Sequence, residues 1–254
     1  MNLLIKLWTI WCFIFVPILF TIFVLFSIII LVFFGNLGKK LFYLLSPYFA
    51  QLCLLIMGVN IRKSGFNTFS NNNPVIYIAN HKSYLDIFII AAIVPGKLKY
   101  LGKEEVFNWP VFGWLAKVSG QIPVKRDSKE SRSKSYDLMK AALCNGYSVI
   151  LFPEGGWKNN NDSSSPNPYN LKQDKILQNF RNGAFRLSIE SVFPIVPIVL
   201  LNAQNRFSDV TNKMVPGVAD VHIFSPINPI DYNVETLNNK CYNLILDKLL
   251  KYTL

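Results

Sequence analysis

The feature that most limits the fold of this chain is a charge-free apolar run from Leu7 to Phe34. A helix of about 20 apolar residues crosses the hydrocarbon core of a bilayer, so this run is long enough to span it with some tilt. It is longer than the apolar region of a signal peptide and lacks a cleavage site of small residues, so we expect it to be retained. A second apolar stretch, Leu41 to Val59, contains Ser46, Pro47 and Gln51. That composition is more typical of a helix that lies in, or re-enters, the membrane interface.

Basic residues flank the apolar segments and predict an orientation. Lys39, Lys40, Arg62 and Lys63 follow the first segment, whereas Lys6 alone precedes it. By the positive-inside rule, the remainder of the chain lies on the cytoplasmic side. Two alternatives stay open: a shallow hairpin with both ends cytoplasmic, and a buried core helix in place of the first span.

The overall charge narrows the classes of partner. The 254 residues carry a formal net charge of +11 and are 51% hydrophobic. Such a basic excess indicates anionic partners, such as membrane lipid, a phosphorylated substrate or an acidic carrier protein. Scattered basic residues, without zinc-ligand spacing or an RNP-like aromatic pattern, argue against nucleic acid. The four cysteines lie far apart without a C-x-x-C pair, which indicates neither disulfides nor a metal site.

Beyond the apolar segments, short buried runs alternate with helical patterns. The predicted strands are Val75 to Ala79, Lys97 to Gly102, Gly120 to Arg126, Tyr147 to Phe152, Phe193 to Leu200 and Val218 to Phe224. This alternation predicts an α/β domain whose largely parallel sheet is flanked by helices. We predict a polar linker at 61–73, a surface insertion at 157–174, and helical sequence from 103 to 117 that breaks at Pro110 and Gly113. The chain therefore divides into a membrane anchor at 1–58 and a globular domain at 59–254.

The turn that follows the first of these strands, Val75 to Ala79, contains residues that are suited to base catalysis. Asn80 and His81 follow the strand, and Ser83 with Asp86 forms a capping-box-like start of the next helix. A carboxylate five residues after His81 can orient the imidazole, as in hydrolase triads. The chain has no G-x-S-x-G elbow, so the nucleophile would be a hydroxyl supplied by the substrate. For this spacing alone, a simple helix cap followed by a surface carboxylate is the alternative.

Two further motifs follow predicted strand ends. Arg126 ends one strand and suits fork-like recognition of a phosphate, although a solvated ion pair with the next residue is the alternative. Glu154 follows another strand, and Gly155 and Gly156 would let backbone N–H groups approach a ligand closely. The carboxyl ends of parallel strands meet in one crevice, where α/β proteins bind ligands. The catalytic turn and both motifs can therefore share one site.

Taken together, these blocks resemble the membrane-associated 1-acyl-glycerol-3-phosphate acyltransferases of the glycerolipid acyltransferase family. The matching blocks are Asn80-His81 with Asp86, Gly120 to Arg126, Phe152 to Gly155, and Val192 to Pro197, with a helix start at Phe180 to Ala184 before the last. The resemblance covers roughly Asn60 to Leu201 and the apolar N-terminus. A single block is weak evidence, whereas four in order are specific.

The resemblance implies both roles and a reaction. His81 would be the general base and Asp86 its orienting carboxylate. The implied substrate-binding residues are Asn80, Arg126, Glu154, Gly155 and Gly156. A fatty acyl group would pass from acyl-CoA or acyl carrier protein to the free hydroxyl of 1-acyl-glycerol-3-phosphate, giving phosphatidate with neither cofactor nor metal. The expected location is the inner membrane of a bacterium, with the catalytic domain facing the cytoplasm.

One block departs from the family pattern. Many members continue it as Glu-Gly-Thr-Arg, whereas this chain has Glu-Gly-Gly-Trp at 154–157. An arginine that could help bind phosphate is thus absent, and Lys158, Arg181 or Arg186 are candidates to replace it. Other lysophospholipids and amino-acid-based lyso-lipids therefore stay open as acceptors. A non-catalytic, membrane-anchored lipid-binding protein is the third interpretation.

Overall fold

The computed structural model describes residues 3–66, 73–94, 96–125, 127–155 and 176–253. Its helices are α1 (Leu3–Phe33), α2 (Gly35–Ile56), α3 (Leu85–Ile93), α4 (Phe112–Val118), α5 (Lys129–Cys144), α6 (Gly183–Ser191), α7 (Ala203–Arg206) and α8 (Val234–Thr253), with a 3-10 helix at Glu104–Asn108. Its strands are β1 (Val59–Gly65), β2 (Ile76–Ala79), β3 (Leu98–Lys103), β4 (Ile122–Val124), β5 (Ser148–Leu151), β6 (Ile195–Leu200), β7 (Phe207–Ser208), β8 (Lys213–Met214) and β9 (Gly217–Ile223). The predicted insertion at 157–174 lies outside the described residues.

The main sheet has seven strands in the order β1-β9-β6-β2-β5-β3-β4. Adjacent strands run parallel except β6 and β9, which are antiparallel. This confirms the prediction of a largely parallel α/β sheet. β7 and β8 form a separate antiparallel pair.

Helices cover both faces of the sheet, which is why its central strands read as continuous apolar runs. β2 is buried at each position. Tyr77 and Ala79 belong to a core shared with α2 and α3, whereas Ile76 and Ile78 pack in a second core with α5, α6 and α8. Because successive side chains of a strand point to opposite faces, one short strand serves both cores.

The predicted linker after the anchor is wrong in its first part. β1 is a parallel edge strand, with Val59 opposite Gly217 and Gly65 opposite Ile223. Val59 is buried, whereas the following positions are half-buried or exposed. An edge strand with such side chains has no apolar pattern, so nothing local in the sequence distinguishes it from a linker.

The predicted break at Pro110 is confirmed, since the 3-10 helix ends at Asn108 and α4 begins at Phe112. The predicted break at Gly113 is wrong, because Gly113 lies inside α4. An ideal Cβ on Gly113 would collide with the backbone carbonyl of Phe107. This glycine therefore permits close backbone packing and does not end the helix.

The two N-terminal helices form a hairpin whose second arm packs on the α/β domain. The Phe23 and Phe49 rings stack 3.8 Å apart, and the Trp8 indole donates to the carbonyl of Met57. Gly38, near the start of α2, lies against the backbone carbonyl of Ile30, where a Cβ would collide. By length and composition α1 is able to cross a membrane, with a mean hydropathy of 3.0 in its apolar window.

Candidate active site

The turn between β2 and α3 has a hydrogen-bond acceptor for each backbone N–H from His81 to Leu85. His81 N donates to Glu154 Oε1, Lys82 N and Ser83 N to Asp86 Oδ2, Tyr84 N to Asp209, and Leu85 N to Ser83 Oγ. The N–H groups ahead of a helix have no partner within the helix, so these side chains satisfy them. The backbone of the turn is consequently held by four side chains, those of Glu154, Asp86, Asp209 and Ser83.

Ser83 and Asp86 cap the helix in a way close to the predicted one. The carboxylate of Asp86 accepts from Ser83 N at 3.0 Å, as in a capping box. Tyr84 occupies the N-cap position, however, and its own side chain does not cap the helix. Ser83 Oγ instead accepts from Leu85 N at 3.2 Å. The predicted N-cap is therefore displaced by one residue.

The imidazole of His81 and the carboxylate of Asp86 are in direct contact. His81 Nδ1 lies 2.8 Å from Asp86 Oδ2. Asp86 is 1% exposed, whereas the His81 side chain is 20% exposed and stacks on Phe152 at 4.1 Å. Because the carboxylate accepts the proton on Nδ1, the other ring nitrogen, Nε2, is left as an acceptor. A histidine held in this tautomer can act as a base.

Asn80 and Glu154 hold the catalytic turn. The amide of Asn80, 1% exposed, exchanges hydrogen bonds of 2.9 and 2.8 Å with the backbone of Leu200 in β6. The two oxygens of Glu154 accept from His81 N at 2.9 Å and from Gln178 N at 3.0 Å. These polar atoms are thus committed to protein groups, which favours a positioning role over the predicted contact with substrate. Burial raises the pKa of the Glu154 carboxyl, and this effect outweighs the lowering by the N–H groups of Gln178 and His81.

The other three predicted substrate-binding residues are Arg126, Gly155 and Gly156. Arg126 and Gly156 lie outside the described residues. Gly155 has a positive φ of 80°, and its N–H donates to the carbonyl of Phe152 at 3.0 Å. That amide is consequently engaged in a turn and is not free to donate to a ligand.

Of the three candidate replacement cations, Arg181 lies at this turn. Its backbone N–H donates to the carbonyl of Pro153 at 2.9 Å. Its guanidinium crosses Gly155 so closely that a Cβ there would collide with it. Arg186 instead acts electrostatically on Tyr136 of α5. Lys158 lies outside the described residues.

His81 lines an apolar cavity of about 930 Å³ that reaches between the catalytic domain and the N-terminal helices. Aromatic rings, each in contact with the next, mark its course: Tyr84, Trp109, Phe112, Phe20, Phe49, Phe23, Phe42 and Tyr43. Small-molecule pockets in proteins commonly have this size. A long hydrocarbon chain is the ligand that such walls suit.

The lining of this cavity also includes polar residues. Ser119 and Gln121 line it beside Tyr43. The ammonium of Lys99 donates to the carbonyl of Ser119 and lies 5.6 Å from the centre of the Tyr43 ring. Burial lowers the pKa of Lys99 to about 8, with a further lowering by Lys39. The desolvated ammonium of Lys99 thus lies behind Ser119 and Tyr43, which line the cavity together with His81.

Asp209 is a site residue that the sequence did not indicate. It lines the cavity with His81, and its carboxylate accepts from Tyr84 N at 3.2 Å. Burial raises its pKa, and the Tyr84 N–H lowers it. Asp209 is an isolated acid far along the chain from the histidine, so no local motif marks it. Within the part of the chain that the structure describes, no cluster of His, Cys, Asp or Glu could hold a metal ion.

Fold and site define an α/β protein in which a histidine–carboxylate pair at the strand ends adjoins a large apolar cavity. The chain belongs to the acyltransferase family, whose model, described as Acyltransferase, matches residues 60–201. This range coincides with the part of the sequence in which the four blocks were found, and it confirms the resemblance.

Relatives with curated names fall in two groups by acceptor. The chain is 27% identical over 190 residues to the 1-acyl-sn-glycerol-3-phosphate acyltransferase of Cocos nucifera, covering 74% of this chain and 56% of that protein. It is 35% identical over 108 residues to the lyso-ornithine lipid O-acyltransferase of Pseudomonas aeruginosa, covering 42% of this chain and 39% of that protein. The matches thus span about half, or less, of these relatives.

A solved structure has the same fold. The 1-acyl-sn-glycerophosphate (LPA) acyltransferase PlsC from Thermotoga maritima superposes with a TM-score of 0.80, over 98% of this chain and 96% of that one. The two sequences are 16% identical, so the likeness concerns the fold alone.

Proposed function

We propose that this chain is an O-acyltransferase, which moves a fatty acyl group from a thioester to the free hydroxyl of a lyso-lipid. The observation that carries the proposal is the His81–Asp86 pair at one end of the apolar cavity. The described residues place a base beside a space for an acyl chain, and the nearby Ser83 hydroxyl is bound to the Phe207 carbonyl. This arrangement suits a reaction in which the substrate supplies the attacking oxygen. The named relatives support the same class of reaction.

The reaction requires one proton to move through the imidazole. Nε2 of His81 takes the proton of the acceptor hydroxyl as its oxygen forms a bond to the thioester carbonyl carbon. The carbon–sulfur bond then breaks, and the proton passes to the departing thiolate. Asp86, in the first turn of α3, stabilises the transient imidazolium, and the ring stacks on Phe152. General-base catalysis contributes roughly 10²–10⁴-fold to such a step.

The cavity would hold the acyl chain of the donor with its thioester beside His81. Each buried methylene contributes about 0.8 kcal/mol, so the chain supplies much of the binding free energy. The donor carrier is acyl-CoA or acyl carrier protein, and the basic character of the chain supports an anionic carrier of either kind.

We assign 1-acyl-glycerol-3-phosphate as the acceptor and phosphatidate as the product. Arg181, across Gly155, is the cation that would take the place of the missing arginine and bind the phosphate. Lys103 also lines the cavity and forms an ion pair of 3.0 Å with Glu105. Arg181 lies beside the Gly155 turn that follows β5, and Lys103 ends β3, so both cations follow strand ends at the same edge of the sheet.

A lyso-ornithine lipid is the second candidate acceptor. The Pseudomonas aeruginosa relative of that name is 35% identical over its matched segment, against 27% for the coconut enzyme. The Glu-Gly-Gly-Trp sequence also lacks the arginine of the phosphate-binding pattern. A panel of both acceptors with one acyl donor separates the two.

The proposed site of action is a membrane. α1 would span the bilayer or form a shallow hairpin with α2, and residues 1–58 would anchor the domain at 59–254 on the cytoplasmic face of a bacterial inner membrane. Exposed apolar side chains along α1 support an anchor, because such a surface is unfavourable in water.

The decisive experiment replaces each of the two histidines of the chain. Membranes containing His81→Ala should form no diacyl product from an acyl thioester and a lyso-lipid, by mass spectrometry. The matched variant His222→Ala should retain wild-type turnover, because His222 in β9 bonds to Ser64 of the edge strand β1 and does not line the cavity. Full activity of His81→Ala at normal protein levels would refute the proposed mechanism.

A further inference from the structure

The β7–β8 hairpin, Phe207 to Met214, lies beyond the family match and contacts the catalytic turn. Ser83 Oγ donates to the carbonyl of Phe207 at 2.8 Å. Tyr84 N donates to both carboxylate oxygens of Asp209, each at 3.2 Å. Two consecutive residues of the turn are therefore bound by the hairpin.

Asp209 completes the capping of α3 that Ser83 and Asp86 begin, because its carboxylate accepts from the backbone N–H of Tyr84. Tyr84 is at the N-cap position of α3, and its own side chain makes no capping bond. Asp86 already accepts from Lys82 and Ser83. A carboxylate is favoured at a helix N-terminus because it faces unpaired N–H groups and the positive end of the helix dipole. Asp209 supplies that group from a distant part of the chain.

The hairpin is itself held by the N-terminal helix. Thr9 Oγ1 accepts from Met214 N at 3.2 Å, and the rings of Phe13 and Phe207 lie 6.1 Å apart. The position of the Asp209 carboxylate is thus fixed from two directions, by α1 on one side and by the turn on the other.

We propose that Asp209 is a positioning residue for the acyl transfer proposed above, on which this inference rests. By holding Tyr84, with Phe207 holding Ser83, it fixes the first turn of α3, and thereby the His81 ring that Asp86 orients from that turn. Asp209 acts through the turn and does not take the proton itself. A displacement of about 1 Å at a reacting group costs roughly 10²-fold in rate, so this constraint matters for turnover.

The test compares Asp209→Ala and Asp209→Asn with the same changes at Asp231, an exposed acid on a loop. Steady-state rates in detergent should show kcat lowered about 10- to 100-fold in Asp209→Ala, with KM for the acyl donor unchanged. Asp209→Asn should fall between Asp209→Ala and wild type, because its amide oxygen still accepts from Tyr84. The Asp231 variants should match wild type.

Hydrogen exchange of the segment 81–87 provides a readout independent of activity. Asp209→Ala should exchange faster there while the sheet strands keep their protection. Unchanged exchange in Asp209→Ala overturns the inference, whatever the activity. Unchanged kcat with faster exchange also overturns it, since the cap would then not serve turnover. A wild-type protein that transfers no acyl group refutes the proposed function and, with it, this role of Asp209.

Discussion

Asp86→Asn separates the charge of the catalytic carboxylate from its geometry. Asp86 Oδ2 accepts hydrogen bonds from His81 Nδ1, Lys82 N and Ser83 N at 2.8, 2.8 and 3.0 Å. Its Oδ1 is buried and accepts no hydrogen bond from the described residues. An asparagine can therefore place its oxygen at the Oδ2 position and its NH₂ at the Oδ1 position, so that the three bonds remain and the negative charge is lost.

The magnitude follows from the distance between the charges. A carboxylate and an imidazolium about 4 Å apart attract by about 4 kcal/mol at an effective dielectric constant of 20. Losing this attraction in the transition state would lower kcat about 10³-fold, at roughly 1.4 kcal/mol per tenfold. The buried NH₂ without an acceptor would lower the free energy of unfolding by about 1–3 kcal/mol.

The assay measures kcat with saturating donor and acceptor, together with thermal unfolding in the same detergent. Asp137→Asn on α5 removes one exposed carboxylate and serves as the control. If Asp86→Asn kept a kcat close to wild type and lost only stability, the charge would be unimportant for proton transfer. The role assigned to the His81–Asp86 pair would then be refuted.

Two other regions of the molecule give predictions of their own. Arg181→Met should raise KM for 1-acyl-glycerol-3-phosphate about tenfold, whereas Arg186→Met should not, when rates are measured against acceptor concentration. Burial raises the pKa of Glu154, so the folded protein binds more protons than the unfolded chain above the usual glutamate range. Stability should consequently fall as pH rises through that window, and Glu154→Gln should lack this dependence in thermal unfolding.

The parts of the site that could be predicted from the sequence depend on local contacts. His81 and Asp86 are five residues apart, so a strand, a turn and the first turn of a helix bring them together in any compatible fold. The rule that parallel strands end at one edge of a sheet predicts that Glu154 lies near the histidine. The Glu154 side chain is buried, and its orientation towards the His81 N–H depends on the packing around it. The spacing of residues along the sequence does not reveal that packing.

The parts that escaped prediction depend on contacts between distant segments. β1 is defined by its pairing with β9 and by little in its own side chains. Asp209 reaches Tyr84 from 125 residues away, through a hairpin that α1 supports. A single acid in a loop has no periodicity or motif, so its importance is visible only once the turn and the hairpin are seen together.

Gly38 helps to set the width of the apolar cavity. Backbone meets backbone where this residue touches Ile30, and even one methyl group there would wedge the two arms of the helical hairpin apart. Phe23 on one arm and Phe42 on the other form part of the wall of the apolar cavity that is proposed to hold the acyl chain. Gly38→Ala would therefore widen the cavity and weaken the binding of an acyl chain. It would alter no charge or polar group and would leave His81 and Asp86 in place.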